Sequence, residues 1–262
     1  LKATFLKASF RKDTPVKDTP MSDRSIKSTS IKTIVPEWPI PQNVRAFFTE
    51  RCGGHSAAPY ESLNLGTHVG DAPDMVERNR SSLDLPASPF WLSQTHSNLC
   101  IDADAGEQSF TPEADASTTR AQGRVLSVLV ADCVPLLLAD RKGGVVGVAH
   151  AGWRGLANGV IDSVVDAMNV QGLCAWIGPA IGDCHYTVGE DVRSKFQSDE
   201  GFKATGEGMF AMDLAGIAAC QLSLRGVEVF GGEFCTQCND ERFFSYRRDG
   251  VTGRMAGFIW LE

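Results

Sequence analysis

Three residues able to do metal or nucleophilic chemistry stand at polar breaks in otherwise apolar segments. They are Cys133 in ADCVPLLLAD, His150 in VGVAHAGWRG and His96 in FWLSQTHSN. A thiol and an imidazole on one face can act as nucleophile and base, or as two ligands of a metal ion. His96 supplies a third donor. Two His and one Cys with an open fourth position is an arrangement of catalytic zinc sites, where the ion lowers the pKa of bound water or polarises a substrate oxygen. The same residues have a competing structural role, with each His satisfied in a turn or core and Cys133 a small buried hydrophobe.

Other segments carry weaker signals. Gly-Trp-Arg-Gly at 152–155 precedes a helix expected to start near Leu156. Free N–H groups at a helix N-terminus suit anions, so Arg154 there is a candidate contact for phosphate or carboxylate; the alternative is a helix-entry turn with a solvated Arg. In the loop RCGGHSAAPYESLNLGTHVGD, Arg51, Asn64 and His68 could line a pocket, although a polar loop lies at the surface by default. CTQC at 235–238 is a lone CxxC without a second pair at zinc-site spacing, and reads as structural thiols. Cys184 and His185, adjacent in an expected strand, would point to opposite faces and read as non-ligands. Tyr246-Arg247-Arg248 reads as a solvated basic edge, with anion recognition the alternative.

The elements that would position Cys133 and His150 are the two strands of PLLLAD-RKGG-VVGVAHA. A two-residue loop at Arg141-Lys142 sets Cys133 opposite His150; the four-residue loop RKGG makes them diagonal neighbours. Any even loop keeps both on one face, an odd one separates them, and Pro135 could interrupt the ladder.

Around that hairpin, RAFFTE reads as a strand, DMVERNRSSLDL as a short helix, and PFWLSQTHSNLCIDAD as two strands about a polar break. Residues 103–123 read as an acidic surface connection. RGLANGVIDSVVDAMNVQG reads as one helix, with Leu156, Val160, Val164 and Met168 recurring every fourth position and Gly172 as its stop. MDLAGIAACQLSLRGV reads as a helix capped by Asp213, and FFSYRRDGVTGRMAGFIWL as a hairpin about its Asp-Gly turn. Strands and helices are interspersed without strict alternation, which favours α+β with mixed sheets.

Composition sets the outer limits. The chain has 262 residues, 43% hydrophobic and 22% charged, with a net charge of −7. That balance argues against a nucleic-acid binder working through bulk charge. No apolar run approaches the roughly 18–20 residues of a membrane span. The start, LKATFLKASFRKDTPVKDTP, lacks the apolar core of a secretory signal. Met21 opens a more ordinary start, so residues 1–20 read as an upstream extension, with a transit-like arm as the alternative. Residues 1–33 are expected to be disordered and 34–262 to form a single domain. Eight Cys in such a chain read as reduced thiols in a cytoplasmic protein.

LNLGTHVGD, QTHS, ADCVPLLLAD, AHAGWRG, AWIGPAIG and FFSYRRDGVTGRM, in this order, resemble the laccase-domain family. Its members are also called multicopper polyphenol oxidases, peptidoglycan editing factor or YfiH-type purine nucleoside phosphorylases. The resemblance runs from about Ile34 to the C-terminus and implies a single-domain α/β/β/α layered sandwich. It implies Zn2+ bound by His96, Cys133 and His150; many relatives have QVHG where this chain has QTHS, so Ser97 changes the turn and not the ligand. The implied activities are phosphorolysis of adenosine, inosine, guanosine and methylthioadenosine, and deamination of adenosine. The implied partners are purine nucleosides and phosphate, with no nucleic acid, membrane or obligate protein partner. Within that framework Arg51 and Arg154 are candidates for anion contacts, Asn64 for the pocket lining, and Asp132, beside Cys133, for orienting a ligand or moving a proton.

Other chemistries meet particular residues. A multicopper oxidase uses about ten His in HxH motifs to build its copper centres. This chain has five His and no HxH. A single Cu2+ in the two-His, one-Cys set could still give weak phenol oxidation as a side activity. Cys133 with His150 also fits, in outline, a cysteine-type hydrolase editing a muramyl-amino-acid cell-wall precursor. A zinc-stabilised interaction module is the non-enzymatic alternative.

Overall fold

Leu136, Leu137 and Leu138 are consecutive and all fully buried. A strand of that kind needs a covering layer on each face, and the architecture supplies both. The computed structural model describes residues 30–106 and 110–262. The extension expected over 1–33 lies outside the described residues as far as position 29.

In chain order the first elements are β1 (Thr33–Ile34), β2 (Val44–Thr49), α1 (Pro73–Ser81), β3 (Cys100–Asp102), β4 (Ala116–Thr119), β5 (Leu126–Val130), β6 (Val134–Asp140) and β7 (Val146–Ala151). There follow α2 (Trp153–Asn158), α3 (Val160–Met168), β8 (Leu173–Ile177), β9 (Thr187–Gly189), α4 (Glu190–Arg193), β10 (Phe202–Gly206) and β11 (Met209–Met212). The last are α5 (Leu214–Leu224), β12 (Glu228–Gly231), α6 (Tyr246–Asp249) and β13 (Met255–Leu261).

The leucine strand β6 lies within a six-stranded sheet of order β12-β8-β6-β7-β4-β3, mixed in direction because β12 joins β8, and β3 joins β4, in parallel. Val134, Leu136 and Leu138 meet Val160, Val164 and Met168 of α3 and Leu214, Ala218 and Leu222 of α5 in one core. Leu137 and Ala139, on the other face, meet Phe48, Val128, Met255 and Ile259 of a four-stranded sheet, β1-β2-β13-β5. That sheet's outer face carries Leu129, Phe258 and Trp260 under Leu63, Leu65, Leu83 and Leu85. The expected α+β class and layering hold, with loops and the nine-residue α1 making a thin outermost layer. A separate three-stranded sheet, β10-β11-β9, completes the strands. No helix among the described residues is long and apolar enough to cross a membrane.

Several local expectations are corrected. The helix expected over 154–172 is two helices, because Gly159 adopts φ 86 and closes α2 before α3 begins. Glycine takes that left-handed conformation without a Cβ penalty. The second helix stops at left-handed Asn169, not Gly172. The Asp-Gly of RRDG ends the helical turn α6, N-capped by Ser245, and turns no hairpin; β13 instead pairs with β2 and β5. The segment before QTHS makes isolated bridges at Phe90 and Ser93, not a continuous strand. Residues 103–123 are not merely a surface connection: β4 is buried throughout, between β3 and β7. Its Ala-Ser-Thr-Thr sequence fits a crowded position with small side chains, which is why hydropathy misses it.

Candidate metal centre

β5 belongs to one sheet and β6 to the other, so Ala131-Asp132-Cys133 crosses between the two layers. Asp132 turns the crossing at φ 91. A non-glycine residue in the left-handed region is strained and must be held by its surroundings. Here its carboxylate accepts from Thr236 Oγ1 at 2.6 Å and from the Arg247 N–H at 2.7 Å. Its carbonyl accepts from the Ile181 N–H at 2.9 Å. Both carboxylate oxygens are engaged, and half-buried Cys133 follows directly.

β6 and β7 form the hairpin with its four-residue loop: Ala139 pairs with Val146 and Pro135 with His150. Pro135 sits within the ladder. Cys133 and His150 are therefore diagonal neighbours at the open end of the hairpin. His150 shares the face of Val146 and Val148, towards the four-stranded sheet.

His96 arrives from a loop at φ 60. What holds it there is Asp115, a fully buried carboxylate just before β4. Asp115 accepts from the N–H groups of Thr95, His96 and Ser97 at 3.1, 3.0 and 2.6 Å, and from Ser97 Oγ at 2.8 Å. The same side chain takes His150 Nδ1 at 2.7 Å, which leaves His150 Nε2 as the available donor. A carboxylate behind a ligating imidazole is a recurrent support of metal sites.

The donor atoms of His96, Cys133 and His150 all lie within 4.8 Å of one another. Cys133 Sγ is 3.8 Å from His96 Nε2. A tetrahedral ion bonded to nitrogen and sulfur spaces those atoms about 3.6 Å apart, so the residues fit such an ion with little movement. Gly152 makes the convergence feasible, since a Cβ there would come within 2.9 Å of both Cys133 Sγ and His96 Cδ2.

The electrostatics match a cation site. Burial pushes the Cys133 thiol up, but the charge of His150 and hydrogen bonds from both histidines outweigh it and bring it down to about 6. Burial pushes His150 down; Cys133 and Asp115 overcome that and raise it to about 9. Asp115, despite burial, is held at about 2 by His150 and Ser97. Without a metal both shifts favour a thiolate beside an imidazolium at pH between about 6 and about 9.

Of the other expected residues, Arg154 is exposed on the first turn of α2, its guanidinium 4.3 Å from the centre of the Trp153 ring. That helix has only six residues and starts at Trp153, not near Leu156. Arg51 donates to the carbonyls of Glu61 and Asp240, and its guanidinium stacks on Phe244. Asn64 is wholly buried and spends its amide on Gly66, Asp71 and the Arg254 N–H. Both hold loops together. His68 lies within electrostatic reach of the centre; burial, then Arg254, Arg80 and His150, lower its pKa.

Sequence reasoning missed Asp115, Tyr186 and Arg254. Burial pushes the Tyr186 phenol up, as does the Cys133 charge, while Arg247 and Arg154 draw it down. The Arg247 guanidinium lies 4.9 Å from the centre of the Tyr186 ring. Burial lowers Arg254, and the charges of Cys133 and Asp132 counter it. The only signal in the sequence was an acid opening a small-residue run for Asp115, and the YRRDGVTGRM motif for the arginines.

The family model described as multi-copper polyphenol oxidoreductase laccase matches residues 45–262. An Escherichia coli (strain K12) protein named purine nucleoside phosphorylase YfiH is 46% identical over 240 residues, covering 87% of this chain and 98% of its own. A Pseudomonas aeruginosa protein, also named purine nucleoside phosphorylase, is 43% identical over 240 residues, with the same coverages of 87% and 98%. The crystal structure of a Neisseria meningitidis protein matches with a TM-score of 0.83 at 43% identity, covering 88% of this chain and 99% of that one.

Proposed function

The chain belongs to the multi-copper polyphenol oxidoreductase laccase family, and on that premise we propose that it is a purine nucleoside phosphorylase using Zn2+ held by His96, Cys133 and His150. The observation that carries this reading is the joining of three metal donors to arginines. Arg154 lies two residues past Gly152, which abuts Cys133 and His96, and the Arg247 N–H is bonded to Asp132, next to Cys133. That juxtaposition would set an anion held by arginines beside a Lewis-acid position.

In phosphorolysis a phosphate oxygen attacks the anomeric carbon as the purine leaves. Arg154 and Arg247, both exposed, would take the phosphate by charge-assisted hydrogen bonds. Arg254, in the connection between α6 and β13, is anchored by its own N–H to Asn64 and would add positive field on the same segment as Arg247. His68, held towards its neutral form by burial and by Arg254, suits a hydrogen bond to a ribose hydroxyl or purine nitrogen. Asp132 acts as a positioning residue, its oxygens already committed. When bound, the zinc would supply Lewis acidity at its open position.

Adenosine, inosine, guanosine and methylthioadenosine are the proposed substrates, and deamination of adenosine is a second activity of the same centre. The test is base release from inosine and adenosine by metal-analysed protein, with and without phosphate, for wild type and Cys133→Ala. Phosphate-dependent release of hypoxanthine that Cys133→Ala abolishes supports the reading. Release that ignores phosphate, or survives the substitution, defeats it.

A further inference from the structure

The CTQC loop runs beside the loop after β8. Ala180 N–H donates to the Phe234 carbonyl at 3.1 Å and Thr236 N–H to the Ala180 carbonyl at 2.9 Å, a short parallel bridge. Cys184 and His185 lie in a turn, not a strand, with the His185 N–H donating to the Gly182 carbonyl at 3.0 Å. A turn lets neighbouring side chains converge where a strand would send them to opposite faces. Cys184 Sγ consequently stands 3.9 Å from Cys235 Sγ and 3.7 Å from Cys238 Sγ. The donor atoms of Cys184, His185 and Cys238 all lie within 4.8 Å of one another; Cys235 stands outside that set and reaches it through Cys184. Gly182 N–H donates to Cys235 Sγ at 3.2 Å, and a Cβ on Gly182 would press on Cys184 Sγ and Cys235 Sγ at 3.2 and 3.3 Å.

We propose that Cys184, His185, Cys235 and Cys238 bind a second metal ion, a structural divalent cation of the zinc class. Sulfurs bound to one tetrahedral ion at about 2.3 Å stand about 3.8 Å apart, which matches the spacings from Cys184 Sγ to the other two. A disulfide needs about 2.05 Å. Thiolates and an imidazole select zinc over the oxygen-seeking Mg2+ and Ca2+. Four protein ligands leave no open position, so this ion holds structure and does no chemistry. What it holds is the first centre: Thr236, inside the CxxC, donates to Asp132, and Tyr186, next to His185, lies under Arg247.

The experiment uses full-length protein purified under a non-chelating reductant. Elemental analysis of the Cys235→Ser/Cys238→Ser protein should give at least one Zn2+ fewer per chain than wild type. Chelator-stripped Cys133→Ala protein should take up one Co2+ per chain, with thiolate-to-cobalt charge-transfer absorption. Adding Cys238→Ser should weaken that uptake at least tenfold. Near-ultraviolet circular dichroism identifies variants that remain folded. Equal zinc content in wild type and the folded double variant, or no Co2+ uptake by folded Cys133→Ala protein, overturns the proposal.

Discussion

Asp115 Oδ1 lies 2.7 Å from His150 Nδ1, and the same carboxylate gathers the N–H groups of Thr95, His96 and Ser97. One buried acid thus orients two of the three candidate metal donors. Asp115→Asn keeps the shape but turns one acceptor oxygen into an N–H2 facing other donors. Zn2+ affinity should fall about 10–100-fold, as for other supports of ligating histidines. Stability should fall by about 3–5 kcal/mol, because a buried partner is left uncompensated. Competition with a chromophoric chelator and thermal melting measure the two effects. Affinity within threefold of wild type would remove Asp115 from its positioning role.

Cys133 provides a pH test in metal-free protein. Its thiol is brought down to about 6 by His150, which itself stays protonated up to about 9. A lowered acid is ionised above its folded pKa, so the reactive thiolate should appear as pH rises through about 6. Iodoacetamide labelling of Cys133, read by peptide mass and corrected with Cys133→Ala, should reach half its maximal rate near that pH. An ordinary thiol would do so near pH 8.5. Saturating Zn2+ should suppress the labelling. A midpoint above pH 8 in the metal-free protein would mean that His150 does not act on this sulfur.

The convergence of Cys133 and His150 is legible in the sequence because strand periodicity is a backbone property: an even loop places both on one face, and the ladder has one. The supports are not. Asp115 looked like one acid in an acidic connection, and only the pairing of β4 with β3 and β7 buries it. Arg51 and Asn64 were recognised as polar residues in a loop, but a sequence does not tell which carbonyls will consume their hydrogen bonds. At Cys184 and His185 the sequence suggests a strand where the chain turns, and a turn does not force neighbouring side chains to opposite faces.

Gly152 separates packing from chemistry. A Cβ there would lie 2.9 Å from Cys133 Sγ and 2.9 Å from His96 Cδ2, closer than side chains tolerate. Gly152 has φ −73, so alanine meets no backbone strain, and the clash falls on the donors alone. Gly152→Ala should cost about 1–3 kcal/mol of stability, as overpacking does, yet lose most of the first-centre Zn2+ and most of the activity. Zinc content and melting temperature on one preparation decide it; full zinc occupancy in a folded variant would show that the donors do not converge there.

The arginines divide by what their hydrogen bonds already do. Arg51 is committed to the carbonyls of Glu61 and Asp240, so Arg51→Ala should loosen the loop and lower the melting temperature while moving KM for phosphate less than about threefold. Arg154 and Arg247 are exposed, with their guanidiniums laid over Trp153 and Tyr186. A hydrogen bond to a charged group contributes about 1.5–3 kcal/mol, so losing one from a phosphate should raise its KM about 10–100-fold. Arg154→Lys keeps the charge but not the planar fork, and should recover only part of the loss. Steady-state kinetics with phosphate varied at saturating inosine reads all four variants, Arg51→Ala, Arg154→Ala, Arg154→Lys and Arg247→Ala. If Arg51→Ala raises KM for phosphate while Arg154→Ala and Arg247→Ala do not, the anion is held by Arg51 and not by the exposed pair.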